Sequence, residues 1–201
     1  ELDRRTLDKR IARLTREMKQ IEKQRTLNLK SRKGTFSVAL VGYTNAGKSS
    51  LLNRLTRNEV LADDKLFATL DTTSRQWFVP PDSTVVLSDT VGFIRNLPHL
   101  LVASFRSTFG VAVASSLLLH VADLTSEDMS EQIEVVEETL REMSLGDHPR
   151  ILLLNKSDAV SEQTVQRFTP LYPGSIPLSA RTGAGLAGLL DRVASEIRRE
   201  A

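Results

Sequence analysis

The chain has 201 residues, 40% of them hydrophobic and 26% charged, a balance ordinary for a globular protein built as one α/β domain with an appendage. No apolar run approaches the ~18 residues that a membrane-spanning helix needs, and the absence of cysteine excludes disulfides and thiolate metal sites. The net charge of +2 is unevenly spread, with 12 Lys/Arg against 5 Asp/Glu in residues 1–33 and 15 against 20 in the rest.

The basic segment comes first. Leu7, Ile11, Leu14, Met18 and Ile21 are spaced 4, 3, 4 and 3 apart, the seam of a helix that packs on another helix. Arg10, Arg13, Arg16, Lys19 and Lys23 occupy its other faces. Residues 1–33 are therefore expected to be a basic helical segment from a helical subdomain, read either as suited to an anionic partner such as nucleic acid or as a solvated charged helix with one apolar edge. The chain opens at Glu1 rather than Met, which suggests a piece of a longer protein.

Residues 34–201 alternate strand and helix patterns. Strands are predicted at residues 36–42, 75–79, 84–88, 116–122, 150–155 and 175–178. Helices are predicted at 48–56, 97–109, 127–143, 161–168 and 185–199. The second and third strands are joined by Pro80-Pro81-Asp82-Ser83, too short for a parallel crossover, so they form an antiparallel pair. The expected fold is α/β, a six-stranded, mostly parallel sheet with helices on both faces.

Gly42-Tyr43-Thr44-Asn45-Ala46-Gly47-Lys48-Ser49 matches the phosphate-binding pattern G-x-x-x-x-G-K-S, with a strand before it and a helix after it. Such a loop wraps backbone N–H groups around phosphates and aims the positive end of the next helix at them. Lys48 is expected to bridge the β- and γ-phosphates and Ser49 to ligate Mg²⁺, with Ser50 following in the same loop. Asp89-Thr90-Val91-Gly92 ends the third strand. Asp89 suits a second Mg²⁺ anchor acting through water, and the N–H of Gly92 suits contact with the γ-phosphate.

Asn155-Lys156-Ser157-Asp158 and Ser179-Ala180-Arg181 follow the last two strands. Asp158 is placed to accept from guanine N1–H and N2–H₂, which adenine does not offer. Lys156 would cover the base plane with its stem, Asn155 would tie this loop to the phosphate loop, and the N–H of Ala180 would donate to guanine O6. A site built on such bonds rejects bases that leave buried polar groups unpaired. The four elements in this order point to a guanine nucleotide, GTP or GDP.

Beyond these motifs the chain resembles the translation-factor-related class of small Ras-like P-loop GTPases, and within it the HflX family. The residues that carry the resemblance are Val41 through Ser49, Leu66-Phe67-Ala68-Thr69-Leu70-Asp71, Asp89-Thr90-Val91-Gly92-Phe93-Ile94 and Leu97-Pro98-His99-Leu100-Leu101-Val102. The basic helix looks like the family's long helix before the GTPase domain. Two places depart from the family pattern: Thr72 stands where a Pro is usual after Asp71, and residues 109–113 lack the usual acidic character.

The resemblance implies a GTP hydrolase with Mg²⁺, a ribosome-bound state on the large subunit and its rRNA, a role in splitting or recycling ribosomes, and a cytoplasmic location. A monomer is expected. Among Thr69, Thr72 and Thr73, the resemblance favours Thr69 as the switch threonine over Mg²⁺ and the γ-phosphate. Catalysis would then rest on Lys48, Thr69 and Gly92. Phe93 stands where Ras-like GTPases carry a water-orienting Gln, so turnover should be slow unless a partner assists. Phe93 also reads as a packing residue pointing away from the nucleotide. Asn45 has two readings, a K⁺ ligand as in some related GTPases or a turn residue. A different functional class, a nucleotide-sensing adaptor pairing through the Leu7–Ile21 seam, would show partner binding with no ribosome-dependent turnover.

Overall fold

A computed structural model describes residues 35–56, 73–93 and 110–200. The basic segment, the stretch holding Thr69 and Thr72, and the helix expected at 97–109 lie outside the described residues. The observed elements are β1 (Ser37–Gly42), α1 (Lys48–Thr56), β2 (Ser74–Val79), β3 (Ser83–Asp89), β4 (Leu117–Asp123), α2 (Met129–Glu142), β5 (Arg150–Asn155), α3 (Glu162–Phe168), β6 (Ile176–Pro177) and α4 (Leu186–Glu200). Short 3₁₀ turns occur at Ser157–Ala159 and Thr169–Leu171.

The six strands form one sheet in the order β2-β3-β1-β4-β5-β6. β2 and β3 are antiparallel, and every other neighbouring pair is parallel. β1 and β4 lie in the middle and are buried along almost their whole length. Their near-continuous apolar runs, VALV and LLL, follow from having helices on both faces.

Alternate residues supply the two halves of the core. On one face Val38 and Leu40 of β1 and Leu119 of β4 join Leu51 and Leu52 of α1 and Leu189 and Val193 of α4. On the other, Ala39, Val41 and Leu118 meet Val136 and Leu140 of α2. The buried residues of α2 are Met129, Ile133, Val136 and Leu140, spaced 4, 3 and 4, which turns most of its carboxylates outward. Each such leucine contributes roughly 1.5–3 kcal/mol by leaving water. α3 begins at a side-chain cap, Ser161 Oγ accepting from the Thr164 N–H at 3.2 Å, which satisfies one of the helix's free donors.

His120 is the fully buried polar residue of β4. It is 1% exposed, and its Nδ1 lies 3.0 Å from Glu137 Oε1 on α2. Arg150 closes the group, its Nη2 2.8 Å from Glu137 Oε2. A buried imidazole in an apolar strand is tolerated because it is partnered.

Candidate nucleotide site

The loops after β1, β3, β5 and β6 converge at the carboxyl ends of the strands. β1 has β3 on one side and β4 on the other, so the first loop opens where the chain order reverses, the usual place for a ligand in such sheets.

Two glycines make the first loop possible. Gly42 has φ 148°, and a Cβ there would meet the Val121 carbonyl oxygen. Gly47 has φ 92°, and a Cβ there would strike the Asn155 amide. Lys48 opens α1 and stretches back across the loop, donating to the carbonyls of Gly42 at 3.1 Å and Tyr43 at 2.8 Å. Its side chain is buried, and burial pushes its pKa down to about 8, with the nearby Asp89 carboxylate opposing the shift. A buried ammonium with so little compensating charge is poised to accept an anion.

The second loop lies directly against the first. Thr44 N–H donates to the Phe93 carbonyl at 2.9 Å, and Phe93 N–H donates to the Gly42 carbonyl at 3.1 Å. A Cβ on Gly92 would stand 2.8 Å from Thr44 Cα and 3.1 Å from Lys48 Nζ, so only glycine allows this approach. Ser49 Oγ donates to Asp89 Oδ2 at 2.6 Å. These two oxygens form a hard donor set that fits Mg²⁺, which takes few protein ligands beside water and phosphate.

The base side is organised by Asn155. Its Nδ2 donates to the Ala46 carbonyl at 2.8 Å, and its Oδ1 accepts from the Ala180 N–H at 3.0 Å. The Ala180 N–H expected to face guanine O6 is thus already shared with Asn155. Asp158 accepts from Ser179 Oγ at 2.5 Å and pairs with Arg181 at 2.5 Å. The Ser179 hydrogen bond, followed by Arg181, holds its carboxyl below the usual carboxylate range. A cavity of about 240 Å³ is lined by Gly47 and Ser50, by Asn155, Lys156, Asp158 and Ala159, and by Ala180 and Arg181. It runs from the phosphate loop to the acid expected to read guanine.

Three residues of this region were not singled out from the sequence. Asp123 pairs with Lys156 at 2.7 Å. Arg54, in the last turn of α1, donates to the carbonyls of Ala180, at 3.0 Å, and Arg181. Ala159 lines the cavity. Asp123 had a usable signal, an acid ending an apolar strand as Asp89 does; Arg54 had none, since its partner is 126 residues away.

The structure decides between the two readings of Phe93. Its side chain is fully buried with Ala39, Val41 and Leu118, so it is a packing residue and cannot orient water. Asn45 is exposed with φ 60°, a left-handed conformation that Asn tolerates. Thr73 is engaged through its carbonyl, which accepts from the Asp89 N–H at 2.9 Å.

Comparison with known proteins places the chain. Residues 37–156 match a family model described as a 50S ribosome-binding GTPase. GTPase HflX of Magnetococcus marinus is 42% identical over 201 residues, spanning 99% of this chain and 46% of that protein. The chain belongs to the HflX family of GTPases. The Escherichia coli GTPase HflX is likewise 42% identical over 204 residues, with 100% of this chain and 48% of that protein covered. The HflX-family chain therefore spans about half the length of the curated relatives it matches.

Among solved structures, a GTP-binding protein from Sulfolobus solfataricus in complex with GDP superposes with a TM-score of 0.64 at 28% identity, over 88% of this chain and 57% of that one. Era with MgGDPNP and a 16S ribosomal RNA fragment superposes with a TM-score of 0.65 at 22% identity, over 81% and 56%; that likeness is one of fold. The described residues are thus a Ras-like P-loop GTPase domain. No helix among them is long and apolar enough to cross a membrane.

Proposed function

We propose that this chain is the slow GTP-hydrolysing switch of a ribosome-associated protein, acting as a monomer in the cytoplasm. Residues 34–201 form the GTPase domain, and the basic residues 1–33 add rRNA contact. The observation that carries the nucleotide reading is the Asn155 side chain. It joins the phosphate loop to the base loop at 2.8 and 3.0 Å, beside a cavity that ends on Asp158. Guanine N1–H and N2–H₂ would displace Arg181 from Asp158, and O6 would share the Ala180 N–H.

Lys48, already aimed along the loop, stabilises charge on the β- and γ-phosphates as water attacks and GDP and phosphate separate. Ser49 and Asp89 would hold Mg²⁺, Asp89 through water, which supplies neutralisation of phosphate charge. The Gly92 N–H meets the γ-phosphate, and Thr69 closes over it as the switch threonine. With Phe93 committed to the core, the water-orienting group comes from the backbone, another residue or a partner, so the isolated chain turns over slowly.

The family model's description, a 50S ribosome-binding GTPase, supports the large ribosomal subunit as that partner; splitting or recycling of ribosomes is the outcome that the sequence resemblance implies. Turnover of GTP and ATP with and without large subunits tests the whole reading. GTP-only turnover strongly accelerated by subunits is expected. Equal use of ATP would defeat the guanine assignment, and GTP use without acceleration would favour the adaptor. Asn45 is further proposed as a K⁺ ligand, with K⁺ supplying positive charge beside the phosphates. Equal rates in KCl and NaCl at matched ionic strength would end that idea.

A further inference from the structure

Asp123 ends β4, pairs in register with Asn155 of β5, and belongs to none of the four nucleotide motifs. Both of its carboxylate oxygens are used. Oδ2 accepts from Lys156 Nζ at 2.7 Å. Oδ1 accepts from the Thr125 N–H at 2.9 Å and from Thr125 Oγ1 at 2.6 Å. The Asp123 side chain is 13% exposed and that of Lys156 30%, so the pair is partly withdrawn from water and less screened than a surface ion pair.

Lys156 needs such a partner. Its backbone sits at φ 64°, a conformation that few non-glycine residues adopt. Lys156 lines the cavity beside Asp158, and its four-carbon stem, if unrestrained, would sample many rotamers. The carboxylate holds the ammonium at one end and so restricts the course of the stem. The Thr125 bonds in turn fix the carboxylate: the residue that ends β4 is anchored by the turn that follows it.

We propose that Asp123 is a positioning residue of the guanine site, holding Lys156 so that its stem covers the base plane before nucleotide arrives. The inference rests on the guanine-nucleotide reading of that cavity. It assigns Asp123 to ground-state binding of the base, which GTP and GDP share, and gives it no part at the phosphates.

The test is Asp123→Asn in the full chain, read by GDP and GTP affinity and by steady-state turnover. Asn keeps an oxygen for the two Thr125 donors and loses the acceptor for Lys156, so the turn survives while the link is cut. Loss of one charge-assisted hydrogen bond predicts affinity weakened by about tenfold for both nucleotides, with KM rising and kcat holding. In a Lys156→Met background, which retains the stem without the ammonium, Asp123→Asn should add nothing. Additive losses, a fall confined to kcat, or undiminished affinity in Asp123→Asn would each overturn the proposal. Failure of the unsubstituted chain to bind GDP would instead defeat the guanine reading itself, and this inference with it.

Discussion

Asn155 Nδ2 lies 2.8 Å from the carbonyl oxygen of Ala46, a residue 109 positions earlier in the chain. The same amide accepts from Ala180 N–H, so one buried side chain sets the spacing between the phosphate loop and the base loop. Asn155→Ala would strand a buried carbonyl and a buried N–H at about 1–3 kcal/mol each. At about 2–4 °C per kcal/mol for a domain of this size, thermal denaturation should show a midpoint lowered by roughly 5 °C or more, with GDP affinity reduced in parallel. Asn155→Asp keeps an acceptor for Ala180 but opposes Ala46 with a carboxylate, so it should be no better. An Asn155→Ala chain of unchanged midpoint and affinity would contradict the bridging role.

Gly92 touches the phosphate loop where no side chain fits. An added Cβ would stand 2.8 Å from both Thr44 Cα and Thr44 Cγ2; the first is backbone and cannot swing away. Gly92→Ala should therefore push the second loop off the first. GTP turnover is expected to fall by on the order of 10²-fold, as displacement of about 1 Å can do, while GDP binding changes far less. Normal single-turnover hydrolysis by the variant would show that the close approach is dispensable.

In the proposed guanine site, Asp158 is the residue on which base choice would turn. Asp158→Asn replaces an acceptor pair with a group that donates from its nitrogen, matching the carbonyl that xanthine has where guanine has an amino group. Two charge-assisted hydrogen bonds to guanine are lost, so GTP affinity should drop by roughly 10²-fold or more, and XTP should be preferred. Competition of XTP and GTP against labelled GDP measures this directly. An unchanged order of preference would remove Asp158 from the base.

His120 gives the fold a pH dependence. Burial is the main cause that depresses its pKa, opposed by Glu137; the hydrogen bond to His120 is the main cause that depresses that of Glu137. Both folded pKa values lie below the unfolded ones, so the unfolded chain binds more protons as the solution is acidified. The stability they contribute is present above pH 6.5 for His120 and above pH 4.5 for Glu137, and is lost as pH falls from each value. The thermal midpoint should decline from about pH 6.5 downward. His120→Asn, whose amide replaces Nδ1 beside Glu137, should flatten the upper part of that decline. Some slope should persist, because burial depresses His148 too. An identical pH profile would exonerate His120.

The sequence by itself determined the alternation of strands and helices, the antiparallel second and third strands, and the order of the nucleotide motifs. These are local properties: apolar runs, a turn of prolines, and glycines where the backbone must take a left-handed φ. The boundaries of the described elements named above moved by only a residue or two, as with β3, predicted at 84–88 and observed at Ser83–Asp89, although residues 110–113 are helical beyond the end predicted at 109. Asn155 was legible as a tie between loops because its motif names its role.

Only the tertiary structure decided where side chains with two readings point. Phe93 reads in sequence either as a side chain at the nucleotide or as core; packing with Val41, Leu118 and Val136 settles it as core, because an apolar ring gains by leaving water. Asp123 carries no motif. It becomes a partner of Lys156, 33 residues on, only because parallel pairing sets the ends of β4 and β5 side by side. Arg54 reaches Ala180 for the same kind of reason, α1 having packed against the sheet beside the last loop. Spacing along the chain describes what one element does, whereas contact between distant elements depends on how the sheet orders its strands.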